Sequence, residues 1–303
     1  MAATAPAAGP ASVDRASLTR SSISGGRRAR NALATVAIYG ALAFALVPLG
    51  FVLYYVVSKG LGVIDAGFLT DELPAQVRRA TGGIGPAIAG TLVITGFATL
   101  LAVPLGILAA VYLHEYGGTS ALARVVRFLS NVMAGVPSIV MGLFIFTIYV
   151  VRRGENGLSG LAGGLALACL MLPIVIRATE GMLRLVPTEL RDAAYALGTS
   201  KSRTILTVVL PAALPGITSG ALLAVARAAG ETAPLLFTIG ASRQYNWTLS
   251  RPNTALSAQI FSNAQTGFPN AIDRAWGAAL TLIALVLILS TVARIVAARF
   301  TVR

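Results

Sequence analysis

Charged residues are scarce in this chain. Only 12% of its 303 residues are Asp, Glu, Lys or Arg, and it has one histidine (His114), one cysteine (Cys169) and two lysines (Lys59 and Lys201). Each shortage excludes a class of chemistry. A single cysteine cannot form an intrachain disulfide and offers no metal cluster; lying in an apolar run, Cys169 reads as a small packing residue. His114 has Glu115 beside it but no second histidine four residues on, so there is no zincin motif, and it reads as an interfacial residue at a helix end. Lys59 lies between Ser58 and Gly60, and Lys201 follows Ser200, so neither completes a G-x-x-x-x-G-K-[ST] phosphate loop. A chain that cannot hold ATP in a P-loop, if it works in active transport, draws its energy from a partner or an ion gradient.

Apolar residues are abundant: 56% of the chain is hydrophobic and the mean hydropathy is +0.78. That leaves too little polar surface to cover a soluble globule, and the class is an integral membrane protein. The net charge of +13 comes mostly from arginines dispersed around apolar segments. No basic stripe is interleaved with aromatics, which argues against nucleic acid and for membrane orientation.

Residues 1–31, rich in Ala, Ser, Pro and Arg, read as a disordered cytoplasmic tail, and residues 32–303 as a transmembrane domain. Arg27-Arg28 is not read as an export signal, because the apolar run 32–57 exceeds a signal-peptide core and no small-residue cleavage site ends it. Five further runs can cross a core of about 30 Å: 84–113, 128–151, 159–179, 212–239 and 275–298. Six spans put both termini on one side. Arg294, Arg299 and Arg303 then join the N-terminal arginines and Arg124, Arg127, Arg184, Arg191, Lys201 and Arg203 on the cytoplasmic side. The opposite loops hold Lys59, Arg78, Arg79, Arg152, Arg153, Arg243, Arg251 and Arg274, so the expected topology is N-in, C-in, all α-helical.

Small residues and proline mark the spans. Gly160/Gly164 and Gly216/Gly220 have the spacing that lets helices approach closely, and Pro104, Pro137 and Pro173 are expected to kink their helices. The outer loops 58–83 and 241–274 are comparatively long; Tyr245, Trp247 and, just beyond, Trp276 read as interfacial anchors, and such loops are where a delivering protein would sit.

An ionisable group inside a span is costly and persists mainly where it has a task or a partner. Two places qualify. Arg177 lies toward the end of the fourth span, with Glu180 three residues on. Arg227 lies within the fifth, with Glu231 four residues on and therefore on the same helix face. The structural alternative is that Arg227 and Glu231 neutralise each other and Arg177 snorkels to the interface. A guanidinium offers a planar fork of donors that suits a tetrahedral oxyanion. A nearby carboxylate repels a fully ionised anion such as sulfate yet can accept a hydrogen bond from hydrogen phosphate, so Arg with Glu favours phosphate.

The one sizeable polar interruption in the second half is Glu189 to Pro211, ELRDAAYALGTSKSRTILTVVLP. Ala193, Ala194 and Leu197 at helical spacing, a break at Gly198 and a second apolar piece ending at Leu210-Pro211 give a short helix, a turn and a re-entry into the membrane. It is either an ordinary cytoplasmic loop or a docking element gripped by another protein. The wording DAAYALG…VVLP resembles the EAA loop of ABC importer membrane subunits, with Asp192 in place of the usual Glu and Val208 in place of the usual Ile. Around it GGIGPAIAGTLVITGFATLLAVPLGILAAVYLHEY, AGVPSIVMGLF, LPIVIRATE and ARAAGETAPLLFT resemble the phosphate importer permeases. The Gly-Glu-Thr-Ala-Pro-Leu-Leu stretch is closer to the PstA-type subunit than to its PstC-type companion.

The resemblance implies a type I ABC importer permease (MetI-like) fold, with a core over about 84–300 and an EAA loop over 180–211, in a bacterial inner membrane. It implies that Glu189, Asp192, Ala193, Ala194, Gly198, Leu210 and Pro211 dock on the ATPase, and that Arg177, Arg227 and Glu231 serve phosphate translocation. It further implies a PstC-type permease partner, an ATP-binding subunit dimer (PstB type) that uses ATP and Mg, and an extracytoplasmic phosphate-binding protein (PstS type). The chain itself would bind no cofactor and no metal and would be no enzyme. Other readings are an importer for another oxyanion or small solute, a secondary transporter, for which no inverted repeat is visible, and a membrane scaffold, which leaves Arg227 unexplained.

Overall fold

The computed structural model describes residues 25–299, with side chains described up to Ile295. The expected tail falls largely on residues 1–24, outside the described residues; residues 25–31, also assigned to it, are helical. The chain divides into two compact units at Tyr54/Tyr55. The described part of the first is most of α1 (Gly25–Gly60), which carries Pro48 inside it. Helix formers such as Arg28, Ala29 and Arg30 extend α1 ahead of the apolar run. Its large side chains, among them Leu33, Phe44 and Phe51, are exposed, as befits a span whose solvent is lipid.

The regular elements of the second unit, among its described residues, are all helices joined by loops. After α2 (Ala66–Thr70), capped by Asp65 whose Oδ1 accepts the Phe68 N–H at 2.6 Å, comes α3 (Gly85–Val111), extended by a π-helical turn Tyr112–Tyr116. Next are α4 (Ala121–Gly135) and α5 (Ser138–Ile145). A π-helical segment, Phe146–Val150, joins α5 to the last turn α6 (Val151–Arg153). Then come α7 (Gly160–Leu185), α8 (Thr188–Ala196) and α9 (Lys201–Thr204). From α9 a π-helical segment, Ile205–Val209, leads into α10 (Leu210–Gly230). α11 (Ala233–Thr238), α12 (Leu256–Ala264) and α13 (Pro269–Arg299) complete the unit.

Five stretches are long and apolar enough to cross a membrane, and a sixth is the α4–α5 pair taken together. The count matches the expected six spans, but two of them are not continuous. The third, expected over 128–151, is broken at Val136-Pro137 with a bend of 110°. The residue before a proline is driven out of the α region, and Val136 is extended. The fifth, expected over 212–239, stops at Gly230, where Glu231 is extended, and restarts with Pro234 in the first turn of α11. Pro104 and Pro173, by contrast, lie within unbroken helices. The re-entry after the polar loop starts earlier than expected: Lys201–Gly230 is one helix of 30 residues.

The core is the seam of α3, α7 and α10. Ile94, Ala98 and Ala102 meet Leu167, Met171 and Val175, with Ala224 and Ala228 closing the third side. Lipid tails are as apolar as these side chains, so close van der Waals fit holds the helices together. A Cβ on Gly106 would lie 2.7 Å from Val175, on Gly216 2.0 Å from Met182 Sδ, and on Gly220 2.4 Å from Ala178 Cβ. Gly216 and Gly220 therefore do form one helix contact. Gly160 and Gly164 do not: the first faces Asn253 and the second Phe97.

The outer loops are stitched together. The Tyr245 hydroxyl donates to the Thr70 carbonyl at 2.6 Å and its ring stacks on Trp247 at 6.4 Å; Tyr245 is thus a loop tie as well as an aromatic at the membrane edge. Replacing Gly220 with Leu should force α10 off α7, costing about 1–3 kcal/mol. Thermal unfolding of the purified protein in detergent should show a lowered midpoint for Gly220→Leu and none for Gly96→Leu, since nothing lies within 4 Å of a Cβ at Gly96.

Candidate functional site

Both helix breaks open onto one cavity of about 380 Å³. The α4–α5 break contributes Met133, Ala134, Val136, Pro137 and Ser138. α7 contributes Leu170, Pro173, Ile174 and Arg177, and the end of α10 contributes Arg227 and Glu231. The three charged residues singled out from the sequence, on two different helices, thus line the same space. The N-terminal turn of α5, whose first N–H groups have no intrahelical partner, also starts at this wall and adds a partial positive charge. A second cavity of the same size, between α3, α10 and α13, is lined by Thr91, Thr95, Thr99, Ser290 and apolar side chains and has no charged residue.

Within the charged cavity Arg227 Nε donates to Glu231 Oε1 at 3.4 Å. The Arg227 side chain is 68% exposed and Glu231 18%, so the pair is not sealed. Arg177 Nη2 donates to Asn131 Oδ1 at 2.9 Å. Asn131, one turn before the α4 break, was not singled out from the sequence; a carboxamide within an apolar helix was the available signal. Two guanidinium groups in a pocket with a single carboxylate leave a net positive charge of one, fit for an anion.

Glu180 does not serve this cavity. It is turned to the cytoplasmic end, where its Oε1 lies 3.3 Å from Arg127 Nη2 and 2.8 Å from Arg184 Nη2. Arg127 Nη2 also donates to the Leu113 carbonyl at 2.7 Å. Residues three apart on a helix are neighbours, but Glu180 pairs with Arg127 and Arg184 while Arg177 pairs with Asn131.

The polar interruption forms a hairpin at the same end. α8 stops where Gly198 takes φ +80°, a left-handed value that glycine adopts without strain, and Thr199 closes the turn by donating its N–H to Ala194 O at 3.2 Å. Glu189, Asp192, Ala193 and Gly198 are exposed, as are Leu190, Tyr195 and Leu197, the last 85%. Ala194 is buried, and Leu210 packs with Leu183, Val209 and Ala213. The first set forms the outward face, and the second holds the hairpin onto the bundle.

One ion pair anchors this hairpin from within. Arg191 of α8 pairs with Glu115 at the end of α3, with side chains only 14% and 6% exposed. Arg191 Nη2 also donates to Leu183 O at 3.1 Å and lies 3.5 Å from His114 Nε2. Lys201 donates to the Glu115 carbonyl and sits over the Tyr116 ring at 4.9 Å. His114 is therefore part of a charged cluster rather than a lone interfacial side chain. The π-helical turn Tyr112–Tyr116 is where this cluster is built, and sequence periodicity cannot signal such a turn.

Two features define the class: in the second unit, spans with discontinuous helices around a charged cavity, and an exposed cytoplasmic hairpin held on packed helices. This is the architecture of a transport permease. Residues 102–303 match the family described as binding-protein-dependent transport system inner membrane component. The chain is 44% identical over 273 residues to the phosphate transport system permease protein PstA of Yersinia pestis, covering 90% of this chain and 92% of that protein. It is 45% identical to PstA 1 of Mycobacterium tuberculosis strain H37Rv, covering 86% and 85%. A solved bacterial alginate ABC transporter, in complex with an alginate pentasaccharide-bound periplasmic protein, matches with a TM-score of 0.65 at 14% identity, covering 90% and 96%. The MetNI methionine ABC transporter matches at 0.52 and 21%, covering 72% and 93%; these two show the fold alone. The chain belongs to the binding-protein-dependent transport system inner membrane components and, among them, to the PstA phosphate transport permeases. It is a multi-pass protein of the bacterial inner membrane.

The hairpin anchor makes a prediction. Removing one partner of a buried pair leaves an uncompensated charge and costs about 3–5 kcal/mol, so Glu115→Ala should lower stability more than the double variant Glu115→Ala, Arg191→Leu does relative to Arg191→Leu alone. A double-mutant cycle in denaturant should return a coupling of about 1–3 kcal/mol; independent effects would show that the pair does not tie α8 to α3.

Proposed function

We propose that this chain is the membrane-spanning subunit of an ATP-driven phosphate importer and forms the phosphate path with a second permease subunit of PstC type. The observation that carries the reading is the cavity at the meeting of two helix breaks, where Arg177, Arg227 and Glu231 face one space. Arg177, steadied by Asn131, and Arg227 supply donor forks for phosphate oxygens, while Glu231 accepts from the protonated oxygen of hydrogen phosphate. A fully ionised sulfate lacks that proton and meets the carboxylate as a like charge.

An ATP-binding subunit dimer (PstB type), using ATP and Mg, would grip the exposed face of the hairpin. Glu189, Asp192, Ala193 and Gly198 lie on that face. What supports coupling is continuity: Lys201, hydrogen-bonded at the hairpin base, and Arg227, in the cavity, belong to one unbroken helix, about 39 Å apart along the axis at 1.5 Å per residue. Displacement of the hairpin is transmitted along this rod, and the two permease subunits rock between outward-open and inward-open states. A phosphate-binding protein (PstS type) would deliver the ion to the outer loops. This chain itself performs no hydrolysis and binds no nucleotide in this reading. Another oxyanion as cargo is the second reading, since a guanidinium fork suits several.

ATP-driven phosphate uptake into vesicles containing the assembled importer tests the path. Arg227→Ala should lower uptake by about tenfold or more, equivalent to at least about 1.4 kcal/mol of lost transition-state stabilisation, and Arg227→Lys should not restore it, because an ammonium cannot bind in a fork. Unchanged uptake in an intact Arg227→Ala complex would remove Arg227 from the path, and competition by sulfate as strong as by arsenate would refute the selectivity. Bulky replacement of Ala193 and Gly198 should release the ATPase subunit on purification; copurification with full coupled activity would rule out docking on this face.

A further inference from the structure

A third cavity, of about 160 Å³, lies on the outer face and is assembled from four separate segments: the loop after α2, the loop after α11, α12 and the first turns of α13. Its polar lining is Arg243, Arg274, Ser242, Ser262, Asn263 and Gln259. The walls are tied together. Leu73 donates its N–H to the Arg243 carbonyl at 3.1 Å, Asn270 donates to Arg78 O at 2.9 Å, and Arg274 Nη2 donates to Arg79 O at 2.7 Å.

Arg274 is the anomaly. It is 3% exposed, yet among the described residues no carboxylate oxygen lies within 4.0 Å of it. Its guanidinium donates to two neutral carbonyls, the second being Val77 O at 3.5 Å. A buried cation without a counter-charge is expensive, and proteins pair such groups with an anion. The second arginine on the lining, Arg243, is exposed and likewise has no carboxylate among the described residues. Ser242 and Ser262 give their hydroxyl protons to the Gln244 and Gln259 carbonyls, so the two guanidinium groups are what suits this space to one small tetrahedral anion.

We propose that this outer cavity is a subsite for free inorganic phosphate, occupied on the extracytoplasmic side before the ion reaches the Arg177–Arg227 cavity. The proposal rests on the phosphate reading above for the identity of the anion. Arg274, held by the loop carbonyls, forms the floor, and Arg243 at the mouth captures the ion, so the subsite raises the local phosphate concentration at the entrance to the path.

The test uses the importer, with radiolabelled inorganic phosphate as the probe: binding is measured in lipid nanodiscs without the phosphate-binding protein, and uptake in sealed vesicles with and without it. In an Arg227→Gln background, which disables the membrane cavity, phosphate binding should persist and should weaken about tenfold when Arg243→Gln is added, a change expected to fold because Arg243 is exposed. Absence of phosphate binding in the Arg227→Gln complex, or binding indifferent to Arg243→Gln, would overturn the subsite. So would a third outcome, in which Arg243→Gln lowers uptake only with the binding protein present and leaves phosphate binding unchanged, since the arginine would then meet an acidic side chain of the delivering protein. Failure of the membrane-cavity reading shows separately, as full uptake by Arg227→Gln with Arg243 intact.

Discussion

A backbone inside hydrocarbon cannot leave N–H and C=O groups unpaired, and this constraint orders everything else in the molecule. It turns most of the chain into uninterrupted helix and permits exceptions only where protein or water-filled space can receive the freed groups. Both exceptions here, at Val136-Pro137 and at Glu231-Thr232, fall on the same cavity. The breaks and the charges occur together because each requires the same thing, a polar environment at membrane depth. A hydrated cavity that receives the open helix ends can also hold two guanidinium groups and a carboxylate, which lipid could not.

The scaffold that holds this cavity open is built from small residues. Gly106, Gly216 and Gly220 let α3, α7 and α10 approach until side chains of one helix touch the backbone level of the next. The side chains that meet at the seam are apolar and closely fitted, and that fit gives it rigidity. Apart from the cavity, charge gathers at the two ends: Glu180 and Glu115 collect Arg127, Arg184 and Arg191 at the cytoplasmic end, and Arg274 gathers loop carbonyls at the outer end. The hairpin, the cavity and the outer loops are thus three polar regions joined by dry helical rods.

Much of this was legible in the chain. Apolar runs of sufficient length identified the spans, and the scarcity of charge made each intramembrane arginine conspicuous. The EAA-like wording located the hairpin because its turn needs a glycine at Gly198 and its base needs small residues such as Ala194. The partners of those charges were not legible. Glu180 is three residues from Arg177 and four from Arg184, yet it pairs with Arg184 and with Arg127, 53 positions away. Asn131 and Glu115 gained meaning only when α4 and α8 were brought against α7 and α3. Likewise Gly160 and Gly164 share a spacing with Gly216 and Gly220, yet only the latter pair meets a single helix.

What the sequence by itself determined is therefore the local physics: which segments prefer lipid, where proline and glycine interrupt a helix, which side chains carry fixed charge, and that no nucleotide-binding loop is present. Only the tertiary structure decided which interruptions and charges come together. Arg177 and Arg227 are 50 residues apart on separate helices, and the α4–α5 break lies 40 or more residues earlier still than Arg177. Their convergence on one cavity follows from the close antiparallel approach of α7 and α10, a property of how helix faces fit that no periodicity along one strand of sequence encodes.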